Sequence, residues 1–357
     1  MRILRLNSNS NVVLTSLKTV VDRDQGVSNS SSSKRLRRID TFSACSCNII
    51  LWMKKSHGWM SNIPGEVLLL MTAVVWGTGF VSQRKAMEGM QPFVFIALRF
   101  FLGCLVLVPV LISRIPKTKS ETKVAFDWKA NVRNLVLPSL ICGLFLFAGT
   151  SVQQLGIMTT SATKAGFLTS LYLVIVPVLG LFVGKKVNIW VWIGVALAMA
   201  GVWFLSMGIE MNIQTGDILL IIGALFWALQ ILALDHYTEK LDALGLAFGQ
   251  FLTAAVLGTI VSLIFESGPL VTNASAWWSL LYSGIVAVGI GFTFQVLGQS
   301  KVNPALSSLI LSLEAVFALL GGMVLLGERL NGREWLGCVV MLAAVILVQL
   351  KGQQQKA

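Results

Sequence analysis

From residue 64 to residue 350 the chain alternates long apolar runs with short polar breaks. A helix rises about 1.5 Å per residue, so about 20 apolar residues cross a hydrocarbon core of about 30 Å. By that rule ten spans are predicted, at 64–82, 92–112, 134–153, 163–183, 188–207, 216–234, 243–265, 276–298, 304–326 and 334–350. The loops between them are short, which leaves little soluble domain to hold an independent active site.

The second half of the pattern repeats the first. Gly65-Glu66 and the apolar run to Trp76 return as Gly216-Asp217 and the run to Trp227, with Ala73 matching Ala224. Trp192-Ile193-Gly194 returns as Trp335-Leu336-Gly337, and Gly184 and Asn188 return as Gly327 and Asn331. The offset falls from 151 to 143 residues between these matches, as one long first-half loop near 113–132 requires. Each unit holds an odd number of spans, so the second copy lies upside down relative to the first. The predicted fold is an all-α integral membrane protein of ten transmembrane helices arranged as two inverted five-helix repeats, 64–207 and 208–350. Secondary transporters are laid out this way, with the binding site where the units meet near the bilayer midplane.

Composition agrees: 55% of the 357 residues are hydrophobic and 12% charged, against about a quarter charged in soluble domains. The net charge of +12 raises the question of nucleic acid, but its placement points to the lipid bilayer instead. From Met53 onward about 14 Lys and Arg fall on one side of the membrane and about 5 on the other, with Arg99 inside it. Lys54, Lys55, Arg114, Lys117, Lys185, Lys186, Lys240, Lys301 and Lys351 belong to the heavy side, so both termini are expected in the cytoplasm. Arg84, Lys85, Arg329 and Arg333 run against this bias.

Residues 1–60 form a basic, Ser- and Asn-rich extension with no counterpart in the repeat, and disorder is expected there. An organellar transit peptide is one reading, and it would move the protein from a bacterial inner membrane to an organellar one. The favoured reading is an over-extended start, because Met53-Lys54-Lys55 stands just before the first span as a bacterial membrane-protein start would.

Charges within the spans are rare. Arg99 lies a third of the way along the second and Glu314 near the middle of the ninth. Each costs roughly 2.5 to 3.5 kcal/mol at the centre of a bilayer, so each should face a cavity or a partner. Depths of about 10 Å from the outer face and about 15 Å from the inner one put the two side chains within reach of each other. Arg99 then binds a substrate carboxylate or phosphate while Glu314 pairs with it or accepts a proton; alternatively the two form a permanent ion pair that locks two helices.

A second candidate set comprises Gln153, Gln154, Gln230, Gln250 and Gln295 with Thr169, Ser170, Tyr172 and Ser312. Interhelical hydrogen bonding explains most of them. Gln250 stands out because it occupies the repeat position of Arg99. Trp76 and Trp227 are likewise paired by the repeat, away from the span ends, and either line the cavity or pack between spans. Glycine or alanine at four-residue spacing, as in Gly180 to Gly184, Gly245 to Gly249, Ala196 to Ala200 and Ala224 to Ala228, serves packing within the bundle or in a homodimer. Pro92 and Pro304 open spans, Pro138 falls in the first turns of the third, and Pro177 should kink the fourth as a hinge that its repeat partner Leu320 would not share.

Signatures of catalysis or cofactor binding are weak. Gly180 to Gly184 with Lys185 is one residue short of a phosphate loop and lacks its Ser or Thr. His57 and His236 both lie outside the spans, and no paired cysteines suggest a metal site or disulfide, so neither cofactor nor metal is expected. Cys104, Cys142 and Cys338 read as small buried hydrophobes. An intramembrane enzyme lacks converging nucleophile and base, leaving a scaffold or sensor as the rival to a carrier.

The strings AVVWGTGFV at 73–81, ALRFFLG at 97–103, SLEAVFALLGGMVLLGERL at 312–330 and GREWLGCVVMLAAVILV at 332–348 resemble the EamA family of the drug/metabolite transporter superfamily. The resemblance runs from about 64 to 350. It implies ten-helix carriers of two inverted repeats that export amino acids, metabolites or toxic compounds. It makes Arg99, Glu314 and Gly327-Glu328 familiar parts of the pattern, while Ala315 stands where a proline commonly follows the ninth-helix Glu.

Overall fold

A computed structural model describes residues 62–113, 128–159, 162–206, 214–267, 273–326 and 331–353. The extension at 1–60, including the Met53 start, lies outside the described residues but for its neighbour at 62. Every regular element among the described residues is helical. In chain order these are α1 (Gly65–Ala86), α2 (Pro92–Ser113), α3 (Trp128–Thr159), α4a (Ala162–Thr169), α4b (Tyr172–Phe182), α5 (Ile189–Ser206), α6 (Thr215–Thr238) and α7 (Ala243–Phe265). Then come α8 (Ala274–Gln299, with a π-helical stretch at Tyr282–Phe292), α9a (Pro304–Leu311), α9b (Glu314–Leu326) and α10 (Gly332–Gln353). Nine helices among the described residues are long and apolar enough to cross a membrane, and Ile189–Leu205 is a shorter apolar tenth.

Local chemistry sets the helix starts. The side chains of Asp242, Asn273 and Asn303 accept hydrogen bonds from the backbone N–H groups of Gly245, Ala276 and Leu306, satisfying donors that the first turn leaves free. Pro92 and Pro304 open α2 and α9a, as expected of a residue with no N–H to lose. Pro138 is a correction: α3 begins at Trp128, so this proline sits well inside a helix that runs on through it.

The neighbours of each helix follow the repeat. α3 packs on α6 and α1 on α8, α3 on α7 and α2 on α8, while α5 pairs with α10 and α2 with α7. Exchanging each helix for the one five spans later leaves these pairings unchanged. The glycine contacts carry the exchange to single residues. A methyl added at Gly201 would lie 2.9 Å from the Gly337 carbonyl, and one at Gly194 would lie 3.5 Å from that of Ala344. Because α10 ascends where α5 descends, the two helices run antiparallel. In the 143-residue register Gly194 matches Gly337 and Gly201 matches Ala344, so the two contacts interchange. The same holds where Gly156 meets Gly216 on α3 and α6, and Gly298 meets Gly65 on α8 and α1. Close helix approach without a side chain between is the main source of packing attraction inside a bilayer, where burial from water supplies none.

Two spans have their regular α-helical bonding interrupted for one tightened turn, at Ser170-Leu171 in α4 and at Ser312-Leu313 in α9, one residue apart in the 143-residue register. There N–H groups such as those of Leu173 and Ala315 bond three residues back. Pro177 lies inside α4b, while the interruption lies about two turns earlier and recurs in the ninth span, where no proline follows. Hydroxyls ease the breaks, since Ser170 Oγ donates to the Gly166 carbonyl and Ser312 Oγ to the Leu309 carbonyl, each at 2.8 Å. Ser and Thr back-bonding of this kind loosens a helix turn. In the π stretch of α8, carbonyls of Ala287 and Gly291 accept from Trp76 Nε1 and Thr72 Oγ1 of α1 at 3.3 and 3.0 Å.

Large apolar side chains such as Phe101, Leu105, Leu137, Leu144, Ile218 and Phe265 stay exposed on the outside of the bundle, as a lipid-facing surface requires. Cys104, Cys142 and Cys338 are buried and unpaired, in keeping with their reading as small hydrophobes.

Candidate functional site

The broken helices and the charged spans meet around one cleft. It is a narrow cleft of about 570 Å³ with the open space at its mouth included, lined from α1, α2, α3, both interrupted spans, α6 and α8. Arg99, Glu314, Trp76, Trp227, Gln153, Gln295 and Tyr172 all line it, together with Gln83, Phe80, Thr150, Thr169 and Phe292.

Arg99 is 4% exposed. Its Nη1 donates to Gln83 Oε1 at 3.2 Å, and its guanidinium carbon stands 5.2 and 5.1 Å from the ring centres of Phe95 and Phe100 on its own helix. The ring faces carry partial negative charge and offset some of the lost hydration. Its Nε–H is buried with no protein partner. Among the described residues the ion pairs are those of Lys185, so Arg99 and Glu314 share the cleft without pairing. Of the two readings, the permanent ionic lock between two helices is therefore the one this geometry does not show.

Glu314 is 3% exposed and stands as the first residue of α9b, placed there by the break at Ser312-Leu313. Its Oε1 accepts from the Tyr172 hydroxyl at 3.3 Å. Tyr172 opens α4b, on the other broken span, so the two breaks bring the two side chains together. Thr169 Oγ1, at the end of α4a, lines the cleft with no hydrogen-bond partner.

An aromatic wall closes the middle of the cleft. Trp76 and Trp227 lie 6.1 Å apart between ring centres, and Phe292 sits 4.5 Å from the first and 5.8 Å from the second. The indole N–H groups are spoken for: Trp227 Nε1 donates to Gln153 Oε1 at 2.8 Å, and Trp76 Nε1 to the Ala287 carbonyl. All three rings line the cleft, and aromatic rings there can pack on apolar or cationic groups.

Gln230, Gln250 and Ser312 do not line the cleft. Gln230 bridges Gln250 Oε1 at 3.2 Å and exchanges hydrogen bonds with Gln295, so the three amides form a buried network behind the aromatic wall. Ser312 is turned into its own helix. Of the two repeat-related residues, Arg99 reaches the cleft and Gln250 stops one layer back.

Sequence reasoning passed over Gln83 and Phe292. Gln83 precedes Arg84 and Lys85 and reads as the polar end of a span. Phe292 had a signal: Gly149 to Gly156 aligns with Gly291 to Gly298, which matches Phe292 with Thr150 and Gln295 with Gln153. All four of these residues line the cleft.

The comparisons with known proteins fit this architecture. An uncharacterized transporter of Archaeoglobus fulgidus is 32% identical over 312 residues, covering 85% of this chain and 93% of its own length. The uncharacterized inner membrane transporter YedA of Escherichia coli K12 is 26% identical, with 78% of this chain and 88% of that protein covered. The uncharacterized transporter YoaV of Bacillus subtilis is 22% identical, with 78% and 94% covered. A solved crystal structure shares the fold at a TM-score of 0.67 and 18% identity, covering 82% of this chain and 99% of that one. The EamA-like transporter family matches twice, over residues 63–207 and again over 214–350. A multi-pass membrane protein with a duplicated helical unit around one polar cleft, this chain belongs to the EamA-like transporter family.

Proposed function

We propose that this protein is a secondary transporter that exports a small organic solute, zwitterionic or anionic, by alternating access through the Arg99 cleft. The observation that carries the reading is a buried guanidinium with no carboxylate partner, set in the same cleft as a carboxylate bound only by a tyrosine hydroxyl. A buried cation without a counter-ion costs several kcal/mol, and a solute carboxylate or phosphate would repay that cost on binding. Glu314 receives the ammonium group of a zwitterion or a coupling proton, and the Trp76, Trp227 and Phe292 faces take the apolar remainder. Amino acids and related metabolites have this chemistry.

The two interchangeable sets of helix contacts support inverted repeats, which give inward-open and outward-open states of similar energy. The bias of Lys and Arg supports an inner-membrane location with both termini in the cytoplasm. No catalytic step is proposed. Of the small-residue faces, Gly245 and Gly249 pack on Leu135 and Ser139 of α3 and Ala224 and Ala228 are buried, so neither pair is offered to a second subunit of a homodimer.

Counterflow of labelled amino acids in proteoliposomes tests the reading, with Arg99→Ala as the companion variant. Saturable exchange that Arg99→Ala abolishes at normal membrane abundance is expected. Equal exchange in the wild type and the variant would remove the cleft from the mechanism.

A further inference from the structure

A second concavity lies at the opposite end of the bundle from the α1–α2 turn. It is a groove of about 1040 Å³ between α4b, α5, α9a and α10. Its mouth is formed by the 183–188 and 300–303 connections and the end of α10. All three follow even-numbered spans, so they share one face of the membrane, the face that the lysine bias assigns to the cytoplasm.

The connection after α4b is built by a single glycine. Gly184 has φ of 78°, and the N–H groups of Gly184 and Lys185 donate to the carbonyls of Leu181 and Gly180 at 3.1 and 2.9 Å. This is the doubled hydrogen-bond stop of a helix whose next residue is left-handed. It turns the chain sharply enough that Lys185 and Lys186 both border the groove. Lys185 reaches across to Asp235 at 2.7 Å and Glu239 at 3.0 Å on the end of α6. Lys186 is exposed. On the far side of the groove Lys351 of α10 holds its Nζ 5.3 Å from the ring centre of Trp190, itself a groove residue.

The lining itself contains no Asp or Glu, but Asp235 and Glu239 stand behind Lys185 and offset its charge, so the net positive charge of the mouth comes from Lys186 and Lys351; the polar groups beside the lysines are Asn188 and Asn303. Below them the wall turns apolar through Val176, Pro177, Val191, Leu306 and Val348. Leu181, Phe182 and Val183, next to the mouth, are 50%, 84% and 63% exposed, which sets the mouth at the boundary between lipid and water. A cationic mouth over an apolar trough at that boundary matches the two ends of one kind of molecule.

We propose that this groove binds an acidic phospholipid, with the headgroup phosphate between Lys186 and Lys351 and one acyl chain along the Val176 to Val348 wall. A soluble phosphate ester would satisfy the lysines but leave the trough unfilled. A zwitterionic lipid would fill the trough but bring its own cation to the mouth, where Lys186 and Lys351 repel it. The proposal does not rest on transport activity or on the Arg99 cleft.

The test uses the full-length protein purified in a neutral detergent and supplied with dioleoyl phosphatidylglycerol, dioleoyl phosphatidylcholine or glycerol 1-phosphate, with bound molecules counted by native mass spectrometry. Phosphatidylglycerol should be retained at least tenfold better than phosphatidylcholine. Lys186→Gln and Lys351→Gln should each weaken that retention about fivefold, the effect of one interfacial lysine on an anionic lipid. Lys240→Gln, an exposed lysine on the same membrane face but away from the groove, should leave it unchanged. Equal retention of the two lipids, an equal loss with Lys240→Gln, or displacement of phosphatidylglycerol by glycerol 1-phosphate would each overturn the assignment. Thermal unfolding of each variant in detergent alone checks that the groove is intact when its lipid is lost.

Discussion

Arg99 and Gln250 occupy the same place in the two repeats and do different work. Both are buried, each the eighth residue of its helix, on the paired helices α2 and α7. Arg99 points a cation into the cleft, touched by one amide and two of its own rings. Gln250 is neutral and spends its carbonyl on Gln230, in a buried amide network that reaches the cleft only through Gln295. The broken spans differ in the same way: Leu171 stands at the repeat position of Glu314, and Tyr172 opposite Ala315. Duplication supplies the matched helix contacts, while the two buried charges of the cleft come one from each half at positions that do not correspond. A symmetric frame thus holds an asymmetric site.

The largest effect expected is from Arg99→Ala. Removing a buried charge that contacts the solute costs about 2 kcal/mol or more, roughly a 30-fold loss of uptake or efflux, read in proteoliposomes against membrane abundance. Arg99→Gln should lose nearly as much, since it makes the first half resemble the second. Retained activity in that variant would mean that the two positions are equivalent after all.

Glu314→Gln keeps the shape of the side chain and its contact with Tyr172 but fixes its charge at zero. Transport should become independent of pH between about 5 and 8, the range over which carriers are commonly assayed. Unchanged pH dependence in this variant would take the coupling proton away from α9b.

Gly201→Leu tests the frame rather than the site. The new side chain would collide with Met341 and the Gly337 carbonyl, and overpacking of this kind costs about 1 to 3 kcal/mol, read as a lower unfolding temperature in detergent. Gly194→Leu, its counterpart across the exchange, should shift that temperature by a similar amount.

Gln250→Leu should change transport by about threefold at most, because interhelical hydrogen bonds in a bilayer average roughly 0.6 kcal/mol and Gln230 keeps Gln295. The smallest effect belongs to Lys185→Ala. Lys185 is held above its ordinary value of 10.5 chiefly by its hydrogen bond to Asp235, and Glu239 is held below 4.5 by Lys185. The lysine's part is complete below 10.5 and lost as pH rises through its raised value; the Glu239 part is complete above 4.5 and lost as pH falls through its lowered value. At neutral pH the cluster is therefore whole, and its loss should appear only as a small change in the rate of transport.

Ten spans, their order and their duplication were legible because apolar length is a one-dimensional property: each run must match the thickness of the bilayer wherever its neighbours lie. Arg99, Glu314 and the paired tryptophans were legible for a related reason, since charge and large aromatics in mid-span need a special environment. The breaks at Ser170-Leu171 and Ser312-Leu313 were not. Pro177 drew attention because it has a local signature, whereas the actual breaks depend on serine hydroxyls and on what the helix ends meet across the cleft. Whether Arg99 and Glu314 pair was open for the same reason, because depth in the membrane gives height but not direction around a helix.

The sequence by itself determined that the chain lives in a bilayer as two related halves, and which few side chains are too costly to bury without purpose. Only the tertiary structure decided that Glu314 faces Tyr172 rather than Arg99, that Gln83 and Phe292 line the cleft, and that Gln250 stands behind it. Those outcomes depend on the rotation of each helix about its axis and on contacts between residues far apart in the chain, neither of which hydrophobic length constrains.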